Sequence, residues 1–363
     1  ETNLLGATPE QVNARLAAPG YTDVGQWRPA SNTVDTGINL WASRTGYSTF
    51  AGVEHFNLLL EQKPVVWVTP SRVSYDNLWL LPDRFTAPDS GITDVIYTYS
   101  TLQAKWIRDP NQNVSEARYD AMGRVVLTTF WGTEWDEASQ AAIDVGFANM
   151  ASHTWVPASA HHAIADSTVM GDMAAAMFYE PCSWMGQAAQ TLLPNGVELG
   201  VLMPGGYLRA SARARLAKGE YPPDQLPAPT CQALLALPRE PAWSAVLQAD
   251  RYPGDLQRQV RMQISAADGF GRALQSKQKV EAGLAYAVDD EGNLQTLAGE
   301  PQQVQANERW RVSERVEYNN KGLAVRVYRP YFANHHRYIN DESFRLFGYC
   351  DQQFYAPLGR PTQ

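Results

Sequence analysis

The sequence is short of cysteine. Cys182, Cys231 and Cys350 are the three in 363 residues, and they lie far apart. No CxxC pair and no Cys/His ligand spacing occurs, which excludes a disulfide scaffold and a structural zinc site as expectations. No apolar run reaches the roughly 18–20 residues that a membrane-crossing helix needs, so no direct membrane insertion is expected. Basic charge is scarce too: 30 Lys and Arg stand against 38 Asp and Glu, a net charge of −8 with histidine neutral. Without a basic stripe, nucleic acid and anionic membrane surfaces are poor partners. GxSxG, the P-loop, GxGxxG and HExxH are all missing, so a nucleophile elbow, nucleotide binding and a zincin site have no support.

What is present points to β structure. Hydrophobic residues make up 44% of the chain, enough for a sizeable core. Seventeen Tyr and 11 Trp supply flat side chains suited to a half-buried pleated surface, while 26 Gly and 23 Pro supply turns. Residue 1 is Glu with no signal-peptide pattern after it, and the chain stops at Gln363 just past a turn signature. Both ends are expected to be cuts from a longer polypeptide.

Residues 1–25 read as a short helical lead-in. Thr8 is a candidate N-cap, Pro9 suits the first helical position, and Gln11 completes a capping box. Pro19-Gly20 ends the pattern. Residues 26–133 read as β repeats. Val65-Val66-Trp67-Val68, Val95-Ile96-Tyr97 and the run from Val125 to Trp131 are β-branched and aromatic, separated by turn-prone clusters. Tyr75, Tyr97 and Tyr119 stand 22 residues apart. Leu80 matches Leu102, Phe85 matches Ile107, and Pro88 matches Pro110 at the same offset. Two short strands and two turns fit one such unit, and a period in this range marks a stacked or spiralling repeat.

Residues 134–255 break the repeat and read as a mixed helix and loop insertion. Met170, Met173 and Met177, with Ala174 to Ala176 between them, sit at helical spacing. Pro222, Pro223, Pro227 and Pro229 mark an extended linker. In residues 256–363 the β signal returns. Val260, Met262 and Ile264 alternate with polar residues. So do Trp310, Val312, Val316 and Tyr318, with Glu314 alone on the wrong face. Such alternation gives a strand one buried and one wet face.

The clearest local motif is Tyr119-Asp120-Ala121-Met122-Gly123-Arg124. Asp268, Gly271 and Arg272 repeat part of it, as do Tyr318, Asn319 and Gly322, and Tyr355, Gly359 and Arg360. Asp289 and Gly292 keep only the acid and the glycine. The physics is that of a hairpin connection. The Asx side chain bonds backbone N–H groups ahead of it. Glycine three residues on supplies the positive φ that closes a bulge. Tyr packs on the preceding strand, and the Arg stem can cover its ring.

Tyr-led units of about twenty residues ending in Tyr-Asp-x-x-Gly-Arg resemble RHS, or YD, repeats. The run from Asp268 to Lys277, the stretch from Tyr318 through Phe332, and Arg108 to Arg124 are similar to the B component of bacterial Tc (insecticidal) toxin complexes. The resemblance runs from about Trp67 onward and is weakest over residues 134–255. It implies a mainly β fold, an RHS spiral of antiparallel strands forming part of a hollow shell. It also implies a secreted virulence protein whose shell encloses an unfolded toxin. The implied partners are the toxin-carrying C component and, through regions outside these residues, the channel-forming A component. The family's aspartate autoprotease belongs to the C component, so no catalytic residue is carried over and no enzyme is expected here.

Other constellations weigh less. The neighbours His161-His162 and His335-His336 point in different directions on a regular element, so they rarely share one ion. His55 and His153 stand alone. No metal or cofactor is expected. Trp131-Gly132-Thr133-Glu134-Trp135-Asp136-Glu137 sets acids between tryptophans, as in a sugar cleft, and keeps a carbohydrate-active or glycan-binding surface protein open as a rival. An RHS toxin of a contact-dependent secretion system is the other.

Overall fold

The computed structural model describes residues 8–17, 22–23, 41–42, 47–63, 69–154, 159–289, 292–313, 315–339 and 348–362. The expected strand Val65–Val68, the helix stop Pro19-Gly20 and the misplaced Glu314 lie outside the described residues. The chain forms two compact units, one of residues 1–124 and 130–145, the other of residues 125–129 and 146–363.

The first unit opens with α1 (Pro9–Ala17). Thr8 and Gln11 make the expected reciprocal box: the Thr8 amide donates to Gln11 Oε1 at 3.1 Å and the Gln11 amide to Thr8 Oγ1 at 3.3 Å. A two-stranded pair follows, β1 (Thr22–Asp23) with β2 (Trp41–Ala42). Then comes an antiparallel meander of β3 (Tyr47–Phe50), β4 (Leu59–Lys63), β5 (Ser71–Tyr75), β6 (Pro82–Thr86), β7 (Ile92–Thr98), β8 (Gln103–Arg108) and β9 (Val114–Tyr119). Each strand pairs with the next. The 22-residue period is therefore two strands: Val73 opposes Phe85 in one unit, and Val95 opposes Ile107 in the next. β10 (Val125–Asp136), whose first five residues belong to the second unit, and β11 (Ala141–Gly146) follow.

One face of this sheet carries a cross-strand ion ladder. Asp94 on β7 lies opposite Arg84 on β6 and Arg108 on β8. Its oxygens accept from Arg84 Nε at 2.6 Å and Arg108 Nη2 at 2.5 Å. Those two guanidinium groups hold the Asp94 carboxyl below the usual carboxylate range against the cost of its burial.

In the second unit β12 (Ala175–Glu180), β13 (Ala242–Ala249), β14 (Val260–Ala267) and β15 (Ala273–Val280) form a consecutive antiparallel sheet. The expected helix through Met170–Met177 is corrected here. Ser167–Met170 is a single 3-10 turn, and Ala175 onward is strand. Alanine and methionine are good helix formers, but intrinsic preference amounts to a few tenths of a kcal/mol per residue, about 0.7 kcal/mol at most, and pairing with β13 outweighs it.

The helical part of the expected insertion is also narrower than residues 134–255. Its larger part runs between Glu180 and Ala242, at the end of β12 and the start of β13, where Glu180 opposes Trp243. α2 (Ala160–Ala165) precedes β12; α3 (Ala210–Ala217) and α4 (Ala228–Leu235) lie inside the insertion. Pro227 and Pro229 are the N-cap and an early residue of α4, so the proline cluster starts a helix instead of spacing a linker. Leu193, Val201, Leu208, Leu216, Leu226 and Leu234 give the insertion a core of its own. The sheet's core gathers Leu127, Met170, Met173, Leu247, Met262, Ile264 and Trp310. Burying each such side chain contributes roughly 1.5–3 kcal/mol.

Beyond β15 come β16 (Gly283–Tyr286), β17 (Thr296–Leu297), β18 (Glu300–Pro301), β19 (Gln303–Ala306), β20 (Arg309–Ser313), β21 (Val316–Tyr318), β22 (Ala324–Tyr328), β23 (Tyr331–Ala333) and β24 (Cys350–Gln352). The alternation at Val260, Met262 and Ile264 is realised: Met262 and Ile264 are buried between the exposed Arg261, Gln263 and Ser265. Trp310 and Val312 are buried likewise. The alternation fades at Val316–Tyr318, where every residue is half-buried. The three cysteines are unpaired. No described helix is long and apolar enough to cross a membrane.

Candidate functional site

The predicted turn residues build one repeated device. After Tyr119, the Asp120 amide donates to the Arg124 carbonyl at 2.9 Å, and the Gly123 amide donates to the Asp120 carbonyl at 3.0 Å. Asp120 Oδ1 accepts from the Met122 and Arg124 amides, both at 2.9 Å, and Oδ2 accepts from Arg124 Nε at 2.7 Å. The turn Asp268–Arg272 repeats this set, with the Phe270 and Arg272 amides at 2.9 Å and Arg272 Nε at 2.6 Å. Asn319 does the same with the Lys321 and Leu323 amides, at 2.9 and 3.0 Å. At Tyr355–Arg360 alanine replaces the Asx, and the backbone bonds alone remain. Gly123, Gly271, Gly292, Gly322 and Gly359 take φ of 77°, 78°, 91°, 76° and 81°, as the bulge requires.

Burial works against the charge on Asp120 and Asp268. The amide and guanidinium of the arginine four residues on, with the amide at the second position, outweigh it and hold both carboxyls below their ordinary range.

The tyrosines have a role that their spacing did not specify. Each ends a strand and reaches back to the strand that follows the previous turn. Tyr75 Oη donates to the Leu59 carbonyl at 2.9 Å, Tyr97 to Pro82 at 2.9 Å, and Tyr119 to Ala104 at 2.6 Å. Tyr318 donates to Ala273 at 2.8 Å and Tyr355 to Ala324 at 2.9 Å. In the first unit successive turns are thus tied along one rim, whereas Tyr318 reaches back across 45 residues. The Arg272 guanidinium lies 4.4 Å over the ring of Tyr318, so an arginine covers the tyrosine of a later hairpin. Arg124 is held by the carboxylate of its own turn, at 2.7 Å.

Two turns of the same kind escaped the motif. Asp109 Oδ1 accepts the Asn113 amide at 2.8 Å, and Asp76 Oδ1 the Leu80 amide at 2.8 Å. Their glycine position is filled by Gln112 and Trp79, at φ 67° and 55°. The signal in the sequence was the Tyr75-Asp76 pair itself. Trp79 is steadied by stacking on His55, centroids 3.8 Å apart.

The acidic and aromatic stretch 131–137 is the end of β10 and the turn after it. Asp136 caps that turn by accepting the Ser139 amide at 2.9 Å, and its bonds to Ser139 and Ala138 keep its carboxyl low. Trp131 Nε1 donates to Glu116 at 3.3 Å. Glu134 and Trp135 are exposed.

The histidines hold a surprise of pairing. Members of different pairs meet: His161 Nδ1 and His336 Nε2 are 2.9 Å apart. His335 stacks on His336 at 4.6 Å, and Trp243 meets the edge of His161 at 4.9 Å. Lys277, 2% exposed, donates to the carbonyls of His335, at 3.1 Å, and Arg337. Burial pushes its ammonium down to about 7 against the pull of Glu240. Glu180 accepts the Ala160 amide at 2.9 Å and the Tyr207 hydroxyl, and burial pushes its carboxyl up. His161, Glu180, Tyr207, Glu240 and Arg337 border a cavity of about 80 Å³. Among the described residues no three His, Cys, Asp or Glu converge as a metal site would need.

Antiparallel hairpins tied through repeated tyrosine and Asx turns define a mainly β strip, and solved structures carry the same fold. The chain is similar to a segment of the Photorhabdus luminescens Tc holotoxin pore, at 26% identity and a TM-score of 0.75 over 99% of this chain and 16% of that one. It is equally similar to TcdB2–TccC3 without its hypervariable C-terminal region, at 25% identity, TM-score 0.74 and the same coverage. The chain therefore spans about a sixth of the length of these structures. No family model and no curated protein matches.

Proposed function

We propose that this chain is a non-enzymatic shell segment of the B component of a secreted Tc toxin complex. Its RHS/YD strip would form part of the wall that holds a toxin polypeptide unfolded until a partner channel receives it. The partners in this reading are the toxin-carrying C component and the channel-forming A component. The observation that carries it is the tyrosine tie from turn to turn, Tyr75 to Leu59, Tyr97 to Pro82 and Tyr119 to Ala104. That tie extends a sheet hairpin by hairpin and pairs its strands continuously, which suits a wall with few open edges. The likeness to Tc toxin structures over 99% of the chain supports the same reading.

The test is protease protection. The B component carrying this segment is assembled with its C partner and treated with a broad protease, and the C-terminal cargo is followed by mass spectrometry. Survival of the cargo in the intact complex is expected, with rapid loss once the complex is unfolded. Digestion at the rate of free cargo would exclude encapsulation. Hydrolysis of a glycan that disappears on Glu134→Gln would replace the reading with the carbohydrate-active one.

A further inference from the structure

The half-buried histidine contact carries an inference that the shell reading does not contain. Residues 334–339 form a strap across the sheet of the second unit, and it is fastened on two sides. From β15, Gln275 accepts the Ile339 amide at 3.1 Å and donates to the Ile339 carbonyl at 3.3 Å. Lys277, on the same strand, holds the carbonyls of His335 and Arg337. From α2, His161 meets His336 across 175 residues of chain. Asn334 adds a bond to the Val288 amide at 2.7 Å. The strap is therefore clamped between a strand and the first turn of a helix, and its only link to that helix among the bonds named here is imidazole to imidazole.

That link has a particular chemistry. An N···N contact at 2.9 Å needs one N–H and one lone pair. Two neutral rings provide it, and so does a pair that shares one extra proton. A second proton from solvent takes up the remaining lone pair, so both nitrogens become donors and the bond is gone. Two positive rings then face each other in a half-buried setting.

The surroundings do not absorb such charge. On the strap itself stand His335 and Arg337, with Tyr338 beyond. From β15 comes Lys277, and Arg315 acts on Lys277 from beside β20. Of the carboxylates nearby, Glu240 pairs with Arg337 through Oε2 at 3.4 Å while its Oε1 accepts no bond among the described residues, and Glu180 is bonded to the Ala160 amide and Tyr207. Trp243 and Trp310 cover the rings, at 4.9 Å from His161 and 6.2 Å from His336. In agreement with this setting, burial pushes His161 down to about 4, with Arg337 and His335 adding to it. Burial pushes His336 down to about 3, with His335, His161, Lys277 and Arg337 adding to it.

We propose that the His161–His336 contact is an acid-operated latch, which holds the strap 334–339 on helix α2 and lets it go when the second imidazole is protonated. The sign follows from linkage. Both rings are less basic in the folded chain than in an unfolded one, so the latch is whole above the ordinary histidine range. It weakens as pH falls from there towards the folded values. Release is linked to more than one proton, because both rings are less basic in the latched pair and both take up a proton once the strap is off.

The test is hydrogen exchange of the full chain, corrected for the intrinsic pH dependence of exchange, at steps from pH 7 to 3.5. The strap amide of Ile339, held by Gln275, is compared with those of the β12–β13 hairpin; the Arg337 amide, which donates to His335 Nδ1 at 3.0 Å, would be freed by protonation of His335 alone and is left out of the comparison. The strap is expected to lose at least tenfold in protection on acidification before the hairpin loses any, with a slope of more than one proton. His336→Gln keeps a neutral partner for His161 and removes one titrating ring, so the acid loss should disappear. His161→Gln does the same from the other side and serves if the first variant is unfolded at pH 7. His162→Gln, at an exposed neighbour, should behave as the unsubstituted chain. The proposal is overturned if strap and hairpin open together, if the strap keeps its protection down to pH 3.5, or if the glutamine variants open at the original pH.

Discussion

Three glycines at nearly the same backbone angle should respond very differently to one methyl group. Gly271, Gly123 and Gly292 have φ of 78°, 77° and 91°, a region where an L-residue costs roughly 1–2 kcal/mol. Replacing Gly by Ala also stiffens the unfolded chain, which offsets about 0.4–1 kcal/mol. At Gly271 nothing lies within 4 Å of the added Cβ, so Gly271→Ala should cost about 1 kcal/mol and no more. At Gly123 the nearest atom is Gln103 Oε1 at 3.3 Å, the free end of a side chain that can rotate, so Gly123→Ala should match it. At Gly292 the Cβ would lie 2.4 Å from the Tyr338 carbonyl oxygen, and backbone must move. Overpacking of that kind adds roughly 1–3 kcal/mol. Urea denaturation gives the total cost. Hydrogen exchange at the Gly, or Ala, amide gives the local cost, tenfold for each ~1.4 kcal/mol. Equal losses at Gly271 and Gly292, or a gain at Gly271, would refute the account of these turns.

Other expectations follow from the same geometry. Tyr119→Phe removes the donor to the Ala104 carbonyl and should cost about 0.5–1.5 kcal/mol in thermal or urea denaturation, with Tyr97→Phe close to it. Asp120→Ala should cost about as much, whereas Asp120→Asn should cost less, because Asn319 already holds two amides in the equivalent place. Asp120 is held below its ordinary range, so its contribution is present above that range and is lost as pH falls through the folded value. The Asn variant should therefore lose less stability on acidification than the parent chain. Lys277 sheds its proton near 7 when folded but keeps it to ~10.4 when unfolded. The unfolded chain thus holds the extra proton between those values, and stability should rise with pH across the window. In Lys277→Met that rise should be reduced, as urea midpoints at pH 7.5 and 9.5 would show.

Much of the repeat was legible because it is local. Tyr75, Tyr97 and Tyr119 advertise a two-strand unit by spacing, and Asx-x-x-Gly advertises a turn because few residues other than glycine tolerate positive φ. The turns at Asp76 and Asp109 were hidden for the same reason. Trp79 and Gln112 occupy the left-handed position, and no rule of composition expects them there. The strand at Ala175–Glu180 was misread as helix, since its pairing with Ala242–Ala249 is made with residues more than sixty positions away.

By itself the sequence determined which segments alternate and where hairpins turn. Those features depend on neighbours within a few residues. Only the tertiary structure decided that the hydroxyls of Tyr75, Tyr97 and Tyr119 bond carbonyls one hairpin back, that Lys277 is entombed under a strap, and that His161 meets His336. Each of those contacts joins groups brought together by strand pairing and by exclusion of water. Chain spacing encodes neither the partner nor the burial that gives the contact its chemistry.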